Sequence, residues 1–341
     1  MRNDPVAQFE RAFADKIGAH YAIAVNSCTS ALHASLVALD VRGGEVIMPA
    51  LCPAMDAFAI IHAGATPIFA DVDPQTHLVT YDTLAKAVSI RTKAIIAVAL
   101  HGLPCDIDGM VNLGVPIIED CAQALFAPYK DGYAGTEADI GCFSFEKKKH
   151  LTTGSEGGMV VTSDEELAER IRKFAGIGYK HMTAEAGRTS LNARDFQCPD
   201  YQRFDTVGLN YRLSEMQAEL GLSKLRTIDY SIERRQEIGA IWEEVIGECQ
   251  PHPYDASNVF YSAAFQYDGD WLSLYNEFVK KGGDGFYAMP VVPYHEPALS
   301  HRHFTHSPIA ENLQKRVMCF KTHYQSLAYV EAQAKLLASI L

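Results

Sequence analysis

The chain has 341 residues, of which 48% are hydrophobic and 21% charged, an ordinary globular composition for one large and one smaller domain. Its formal net charge of −12 argues against non-specific binding to nucleic acid or to an anionic membrane surface. The charged N-terminus lacks the apolar stretch of a signal peptide, and no apolar run reaches the roughly 20 residues that cross a bilayer. Eight cysteines without a CxxC pair indicate reduced thiols, so we expect a soluble cytoplasmic protein.

Short apolar runs alternate with segments of helical spacing between Tyr21 and Thr162. The runs are continuously apolar, as is typical of strands buried on both faces of a parallel sheet, and the segments 30–39 and 81–88 have helical spacing. The predicted strands are 21–25, 45–50, 66–72, 94–100, 115–120, 140–145 and 157–162. This pattern predicts an α/β three-layer sandwich with a mostly parallel seven-stranded sheet.

A second helical section begins near Ser214 and continues past Asp229. One of its faces carries apolar side chains, which predicts a buried stripe of Ile238, Ile241, Trp242 and Val245. We place a domain boundary near residue 226, between a large domain of residues 1–225 and a small C-terminal α+β domain of residues 226–341.

Ligands of open α/β sheets bind at the carboxyl ends of the strands, so residues that follow strands are candidates for chemistry. After the first strand, "NSCTSALHASLVAL" places Thr29 and Ser30 where a helix begins, and hydroxyls there either cap the helix or hold an anion. The glycine fingerprints of dinucleotide and nucleoside triphosphate sites are absent, which argues against a nucleotide-sugar dehydrogenase. A phosphate bound here would belong to another ligand.

After the fifth strand, Asp120 ends the apolar run of "IIEDCAQA". A buried carboxylate is costly unless it meets a cation or a strong donor, and a protonated heteroaromatic nitrogen is one such partner. A carboxylate that caps a loop is the alternative explanation.

Three consecutive lysines follow the sixth strand in "FSFEKKKHLTTGSEGGMVVT" (143–162). Lysine runs are usually solvated, but a lysine amine becomes nucleophilic when burial and neighbouring cations lower its pKa. Hydroxyls at a helix start, an acid at a strand end and a lysine after a later strand are together what pyridoxal phosphate needs. They would hold its phosphate, keep its pyridine nitrogen protonated and form its Schiff base.

These segments resemble the DegT/StrS-type family of sugar aminotransferases, in the fold-type I group of pyridoxal phosphate enzymes, over nearly the whole chain. "VNSCTSALHASL" resembles the family's phosphate-binding helix start, and "GATPIFADVDPQT" its third-strand signature. "IIEDCAQA" resembles the aspartate motif, the lysine segment the Schiff-base motif, and "GLNYRLSEMQAELG" the approach to the second domain.

The resemblance implies a role for each matched position. Lys149 would form the internal aldimine, Asp120 would pair with the pyridine nitrogen, and Gln123 would lie against the ring and its 3-hydroxyl. Lys147 and Lys148 would then be loop charges. The cofactor phosphate would be bound by Cys28, Thr29 and Ser30 after the first strand and by Ser144 at the end of the sixth. Asn210 would reach the phosphate from the partner subunit, which implies a homodimer with shared active sites.

The implied reaction moves an amino group from glutamate or glutamine to a keto-sugar, in particular a nucleotide-linked one, as in polysaccharide or antibiotic biosynthesis. Sugar acids and cyclitols are other possible acceptors. Arg212 and His295 would bind the substrate, although an arginine at this place can equally be structural. Four histidines lie close together in the sequence: His295, His301, His303 and His306. Their spacing matches no standard metal site, which favours a polar loop over a metal site.

The sequence departs from the family pattern in four places. Pro53 stands where an aromatic residue stacks on the ring, Glu146 replaces a histidine or neutral residue, and Ser155 is an extra residue in the glycine turn. The sequence also starts at the family's first helix, without the arm that precedes it. A cofactor-binding regulatory or scaffold protein without turnover is therefore an alternative. A pyridoxamine-dependent sugar dehydratase is less favoured, because such enzymes carry histidine at the position of Lys149.

Overall fold

The computed structural model of the chain describes residues 4–185, 197–246, 250–251, 257–287, 291–299 and 304–341. Nine strands lie in the first half of the chain. They are β1 (Tyr21–Val25), β2 (Glu45–Pro49), β3 (Thr66–Ala70), β4 (Thr92–Val98), β5 (Ile117–Asp120), β6 (Pro128–Tyr129), β7 (Gly132–Tyr133), β8 (Ile140–Ser144) and β9 (Gly158–Thr162). The seven predicted strands are all present, and β6 and β7 form a separate two-stranded ribbon.

The large sheet has seven strands in the order β1-β9-β8-β5-β4-β2-β3. The neighbours from β8 to β3 run parallel, whereas β9 is antiparallel to both β1 and β8. The prediction of a mostly parallel seven-stranded sheet is confirmed. Because β1 and β8 are both antiparallel to β9, their carboxyl ends lie at the same edge of the sheet as those of β5, β4 and β2.

Eleven α-helices lie within the described residues. They are α1 (Pro5–Ile17), α2 (Cys28–Ala38), α3 (Met55–His62), α4 (Tyr81–Ala85), α5 (Ile107–Met110), α6 (Glu165–Ala175), α7 (Glu215–Leu225), α8 (Ile228–Ile246), α9 (Trp271–Lys280), α10 (Pro308–Gln314) and α11 (Leu327–Ala338). Short 3₁₀ turns cover Val111–Leu113 and Pro293–His295. None of the described helices is long and apolar enough to cross a membrane.

Helices cover both faces of the large sheet. On β8, Phe143 packs against Phe13 of α1 with ring centroids 5.3 Å apart, whereas Cys142 contacts Ser35 of α2 at 3.6 Å. Successive residues of a strand point to opposite faces, so α1 and α2 lie on opposite sides. α7 packs on α1, while α3 and α6 pack on α2, which completes the three layers.

A second hydrophobic cluster surrounds a small antiparallel sheet of β10 (Gln250–Pro251), β11 (Ser262–Gln266) and β12 (Val317–Lys321). The predicted stripe of α8 contributes to it: Ile238 and Trp242 are buried, and Ile241 and Val245 pack against it partly buried. The predicted boundary near residue 226 falls between α7 and α8, and the division into two domains stays a prediction.

Candidate active site

The start of α2 lies at the edge of the large sheet where β1, β8 and β5 end. Ser27 caps the helix, since its hydroxyl oxygen accepts a hydrogen bond from the Ser30 backbone N–H at 3.1 Å, and the helix begins at Cys28. The Ser30 hydroxyl donates to the side-chain oxygen of Asn26 at 2.7 Å, and Thr29 is exposed. The cap is therefore Ser27, which precedes both of the hydroxyl residues singled out in the sequence, and Thr29 stays available to a ligand.

Asp120 ends β5 with its side chain buried, 4% exposed. Its Oδ1 accepts a hydrogen bond from the Ala122 backbone N–H at 2.8 Å and the thiol of Cys28 at 3.6 Å. Burial raises the pKa of Asp120, while the Ala122 N–H and the positive charge of Lys149 oppose that rise. The carboxyl group, the helix start and the lysine thus lie close enough to influence one another.

A second buried carboxyl group lies beside Asp120. Asp56 of α3 is 1% exposed, and its Oδ2 has no hydrogen-bond partner among the described residues. Burial raises the pKa of Asp56 well above its usual range, and the neighbouring negative charge of Asp120 raises it further. Burial and the negative charge of Asp120 therefore both favour the protonated form of Asp56. Sequence reasoning missed Asp56, although a lone carboxylate in the apolar run "AMDAFAII" was a signal.

The three lysines after β8 differ in their surroundings. Lys147 and Lys148 are exposed, whereas Lys149 is half-buried. The Nζ atom of Lys149 lies over the ring of Tyr261, 4.2 Å from its centroid, which is a cation–π contact. Lys149 is therefore the least exposed member of the run, and its catalytic role stays a prediction.

The buried guanidinium of Arg235 in α8 holds the loop that carries Lys149. Its Nη2 donates to the carbonyl oxygens of Lys148 at 2.7 Å and Lys149 at 3.2 Å, and its Nη1 donates to the hydroxyl of Thr322 at 2.9 Å. Burial lowers the pKa of Arg235 to about 10, so the group remains cationic at neutral pH. Sequence reasoning could not find this connection, because nothing local relates α8 to the lysine loop.

Gln123 and Ser144 are both buried at this edge. The side-chain oxygen of Gln123 accepts a hydrogen bond from the His101 backbone N–H at 2.8 Å, and the Ser144 hydroxyl accepts one from the Glu146 N–H at 3.4 Å. A cavity of about 80 Å³ adjoins Gln123 and reaches the small sheet. We call it the lysine cavity, and its walls include Pro53, Gln123, Lys148, Tyr261, Tyr287 and Lys321.

Asn210 and Arg212 lie beside the start of α2 on the segment before α7. Arg212 forms a β-bridge with Val25 at the end of β1, and its Nε donates to the Asn210 side-chain oxygen at 3.0 Å. Both side chains are exposed in this chain. A contact of Asn210 with a partner subunit's cofactor stays a prediction.

His295 lies in the 3₁₀ turn Pro293–His295. The segment before this turn is joined to the loop after β2, because the Cys52 backbone N–H donates a hydrogen bond to the Val291 carbonyl oxygen at 3.1 Å. His295 and His306 lie 4.0 and 2.9 Å from the same oxygen of Glu311. The other two histidines of the predicted group, His301 and His303, lie outside the described residues. Within the described ranges, no three or more His, Cys, Asp or Glu side chains are grouped as metal ligands would be.

The donors at this edge fit pyridoxal phosphate. Asp56 and Asp120 form a buried carboxyl pair that has no cationic hydrogen-bond partner among the described residues. A protonated ring nitrogen suits this pair, because a cation offsets the cost of burying an ionised carboxylate. The exposed Thr29 in the first turn of α2 suits a phosphate, and the half-buried Lys149 supplies the amine.

Comparisons with known proteins agree with this geometry. A sequence model of the DegT/DnrJ/EryC1/StrS aminotransferase family matches residues 2–329. The GDP-perosamine synthase of Escherichia coli O157:H7 is 36% identical over 262 residues, covering 75% of this chain and 67% of that protein. The UDP-N-acetyl-3-dehydro-alpha-D-glucosamine 3-aminotransferase of Acidithiobacillus ferrooxidans is 33% identical over 317 residues, or 88% of this chain and 79% of that protein. An aminotransferase structure from Psychrobacter cryohalolentis superposes with a TM-score of 0.89 at 26% identity, covering 99% of this chain and 91% of the other.

Proposed function

This chain belongs to the DegT/DnrJ/EryC1/StrS aminotransferase family, and from that premise we propose that it is a pyridoxal phosphate-dependent aminotransferase acting on a nucleotide-linked keto-sugar, with glutamate or glutamine as the amino donor. One observation supports this most. The start of α2, the buried Asp120 and the half-buried Lys149 come from three separate segments and lie together at one edge of the sheet.

The residues at this edge would bind the cofactor by its two ends. When bound, pyridoxal phosphate supplies a reactive aldehyde and an electron-withdrawing ring. Asp120 would keep a proton on the ring nitrogen, and Gln123 would lie against the ring and its 3-hydroxyl. The phosphate would be bound by Cys28, Thr29, Ser30 and Ser144 and by Asn210 of the partner subunit in a homodimer.

Lys149 would provide the amine that binds the aldehyde and, when released, moves a proton at its Nζ. Tyr261 lies under that nitrogen, and Arg235 holds the backbone of the loop. The two contacts limit the positions that Nζ can take, which favours proton transfer at one place.

The proposed acceptor follows from the relatives, whose names refer to a GDP-linked and a UDP-linked sugar. Arg212 and His295 would contact this substrate. A cofactor-binding protein without turnover is the second candidate, favoured by Pro53, which lines the lysine cavity where a stacking aromatic residue was expected.

The test is the visible absorption spectrum of the purified protein with pyridoxal phosphate, before and after L-glutamate or L-glutamine. Lys149→Ala is compared with Lys147→Ala, a matched loss of an exposed lysine from the same run. We expect a visible band in the wild type and Lys147→Ala that an amino donor bleaches, and no such band in Lys149→Ala. A band that neither donor changes would support the protein without turnover, and absence of any band in the wild type would overturn the cofactor assignment.

A further inference from the structure

Lys148 differs from Lys147 although both are exposed. Lys148 lines the lysine cavity, and its Nζ lies 5.7 Å from the centre of the Tyr287 ring. Lys321, the last residue of β12, lines the same cavity, and its Nζ lies 5.8 Å from the same ring. Two ammonium groups from distant segments therefore lie around one tyrosine.

Two positive charges lie beside this ring in a chain whose net charge is −12. Within the part of the chain that the structure describes, neither ammonium group forms an ion pair. His323 also lines the cavity. Its pKa is lowered by burial and then by the positive charges of Arg235, Lys321 and Lys148, whereas the negative charge of Glu146 raises it. Like charges held together repel, so an anion between them would be stabilised.

We propose that Lys148 and Lys321 form an anion subsite that binds a carboxylate or phosphate group of a substrate. The lysine cavity continues from these lysines to Gln123 and Pro53, next to the place proposed for the cofactor ring. A molecule that reacts there can extend an anionic group along Tyr261 and Tyr287 to the two ammonium groups. Lysine suits this task because it acts as a mobile point charge for carboxylate and phosphate oxygens.

The subsite rests on the proposed function, which offers two sources of such a group. One is a carboxylate of the amino donor, and the other is a phosphate of the nucleotide-linked acceptor. Both place anionic oxygen atoms within reach of the same cations, so the experiment has one arm for each source.

The experiment uses protein loaded with pyridoxal phosphate, so that the cofactor's own phosphate site is filled. Three variants are compared with the wild type: Lys321→Gln, the double variant Lys148→Gln/Lys321→Gln, and the matched control Lys147→Gln. One arm measures the Kd of inorganic pyrophosphate by calorimetry at low salt. The other measures the L-glutamate concentration that gives half the maximal rate of bleaching of the visible band.

We expect the double variant to weaken at least one arm by about tenfold, the effect of losing charge-assisted hydrogen bonds, with a smaller loss in Lys321→Gln. Lys147→Gln should stay within about twofold of the wild type. A change in the pyrophosphate arm alone identifies a phosphate subsite, and a change in the glutamate arm alone identifies the donor carboxylate. The subsite is wrong if the double variant matches Lys147→Gln in both arms.

The two proposals fail separately. Glutamate that does not bleach the wild type counts against the proposed function, while the pyrophosphate arm still tests the subsite. Normal bleaching in all variants, together with no difference in pyrophosphate binding, overturns the subsite and leaves the aminotransferase intact. Thermal unfolding of each variant verifies that the fold is kept.

Discussion

Arg235 donates a hydrogen bond to the carbonyl oxygen of Lys149 at 3.2 Å, across 86 residues of sequence. The same guanidinium bonds the hydroxyl of Thr322 after β12, so it connects the lysine loop with the small sheet. Buried arginines commonly meet carboxylates. Here, among the described residues, the hydrogen-bond partners of Arg235 are carbonyl oxygens and a hydroxyl, so its positive charge lies close to the loop that carries Lys149.

We predict that Arg235→Met destabilises the protein by about 2–4 kcal/mol, because buried carbonyl oxygens lose their hydrogen-bond donor. The substitution also removes the cost of burying a cation, which offsets part of this loss. The measurement is urea unfolding of the protein without added cofactor. Arg234→Met is the control, since Arg234 is the adjacent arginine and pairs with Glu237 at the surface, and it should cost below about 1 kcal/mol. Equal losses in the two variants would contradict the role assigned to Arg235.

The carboxyl pair of Asp56 and Asp120 predicts a pH dependence of folding. Because the folded pKa of Asp56 is raised, the stability it contributes is complete below its ordinary pKa and is lost as pH rises through the raised value. Asp56→Asn has nearly the same shape as the wild-type side chain and cannot ionise. Its free energy of unfolding should therefore fall less between about pH 4 and pH 8 than that of the wild type.

Urea unfolding across that pH range measures this difference. Asp131→Asn removes an exposed carboxylate and should follow the wild-type profile. If Asp56→Asn also runs parallel to the wild type, Asp56 does not change its protonation on folding.

Glu119 on β5 predicts a second, separate pH dependence. Burial raises its pKa to about 7, although the Gly135 backbone N–H donates to its Oε2 at 2.6 Å and opposes the rise. The stability that Glu119 contributes is present in acid and is lost as pH rises from its ordinary range through about 7. The loss amounts to up to about 3 kcal/mol.

Glu119→Gln keeps an acceptor for the Gly135 N–H and should flatten the stability profile up to pH 7. Its unfolding free energy is measured by urea titration at several pH values, beside Glu166→Gln, which removes an exposed carboxylate of α6. A wild-type slope in Glu119→Gln would show that Glu119 stays ionised in the folded protein.

The start of α2 allows capping to be separated from ligand binding. Ser27→Ala removes the cap of α2 and should cost about 1 kcal/mol of stability, whereas Ser27→Asn should restore most of it. Thr29→Ala should leave stability within about 0.5 kcal/mol, because Thr29 is exposed, and should weaken binding of pyridoxal phosphate instead. Unfolding curves and a cofactor titration test both effects, and a Thr29→Ala variant with full cofactor affinity would remove Thr29 from the phosphate site.

Much of the fold was readable from local patterns. The continuous apolar runs located all seven strands of the large sheet, and the spacing of Ile238 and Trp242 identified the buried face of α8. The boundaries were less accurate: the helix predicted from residue 30 begins at Cys28, and the strand predicted from residue 94 begins at Thr92. Capping by Ser27 and the polar start of β4 explain these shifts, since hydrogen bonds rather than apolar character set where an element begins.

The sequence by itself determined the fold class, the family and the candidates Asp120 and Lys149, because strand periodicity and short motifs depend on neighbouring residues. Only the tertiary structure decided which charges meet. It brought Asp56 beside Asp120 and Arg235 under the backbone of Lys149, and it placed Lys148 and Lys321 around Tyr287. Burial, pKa and charge repulsion depend on distances in space, and chain folding sets these distances between segments that no local pattern connects.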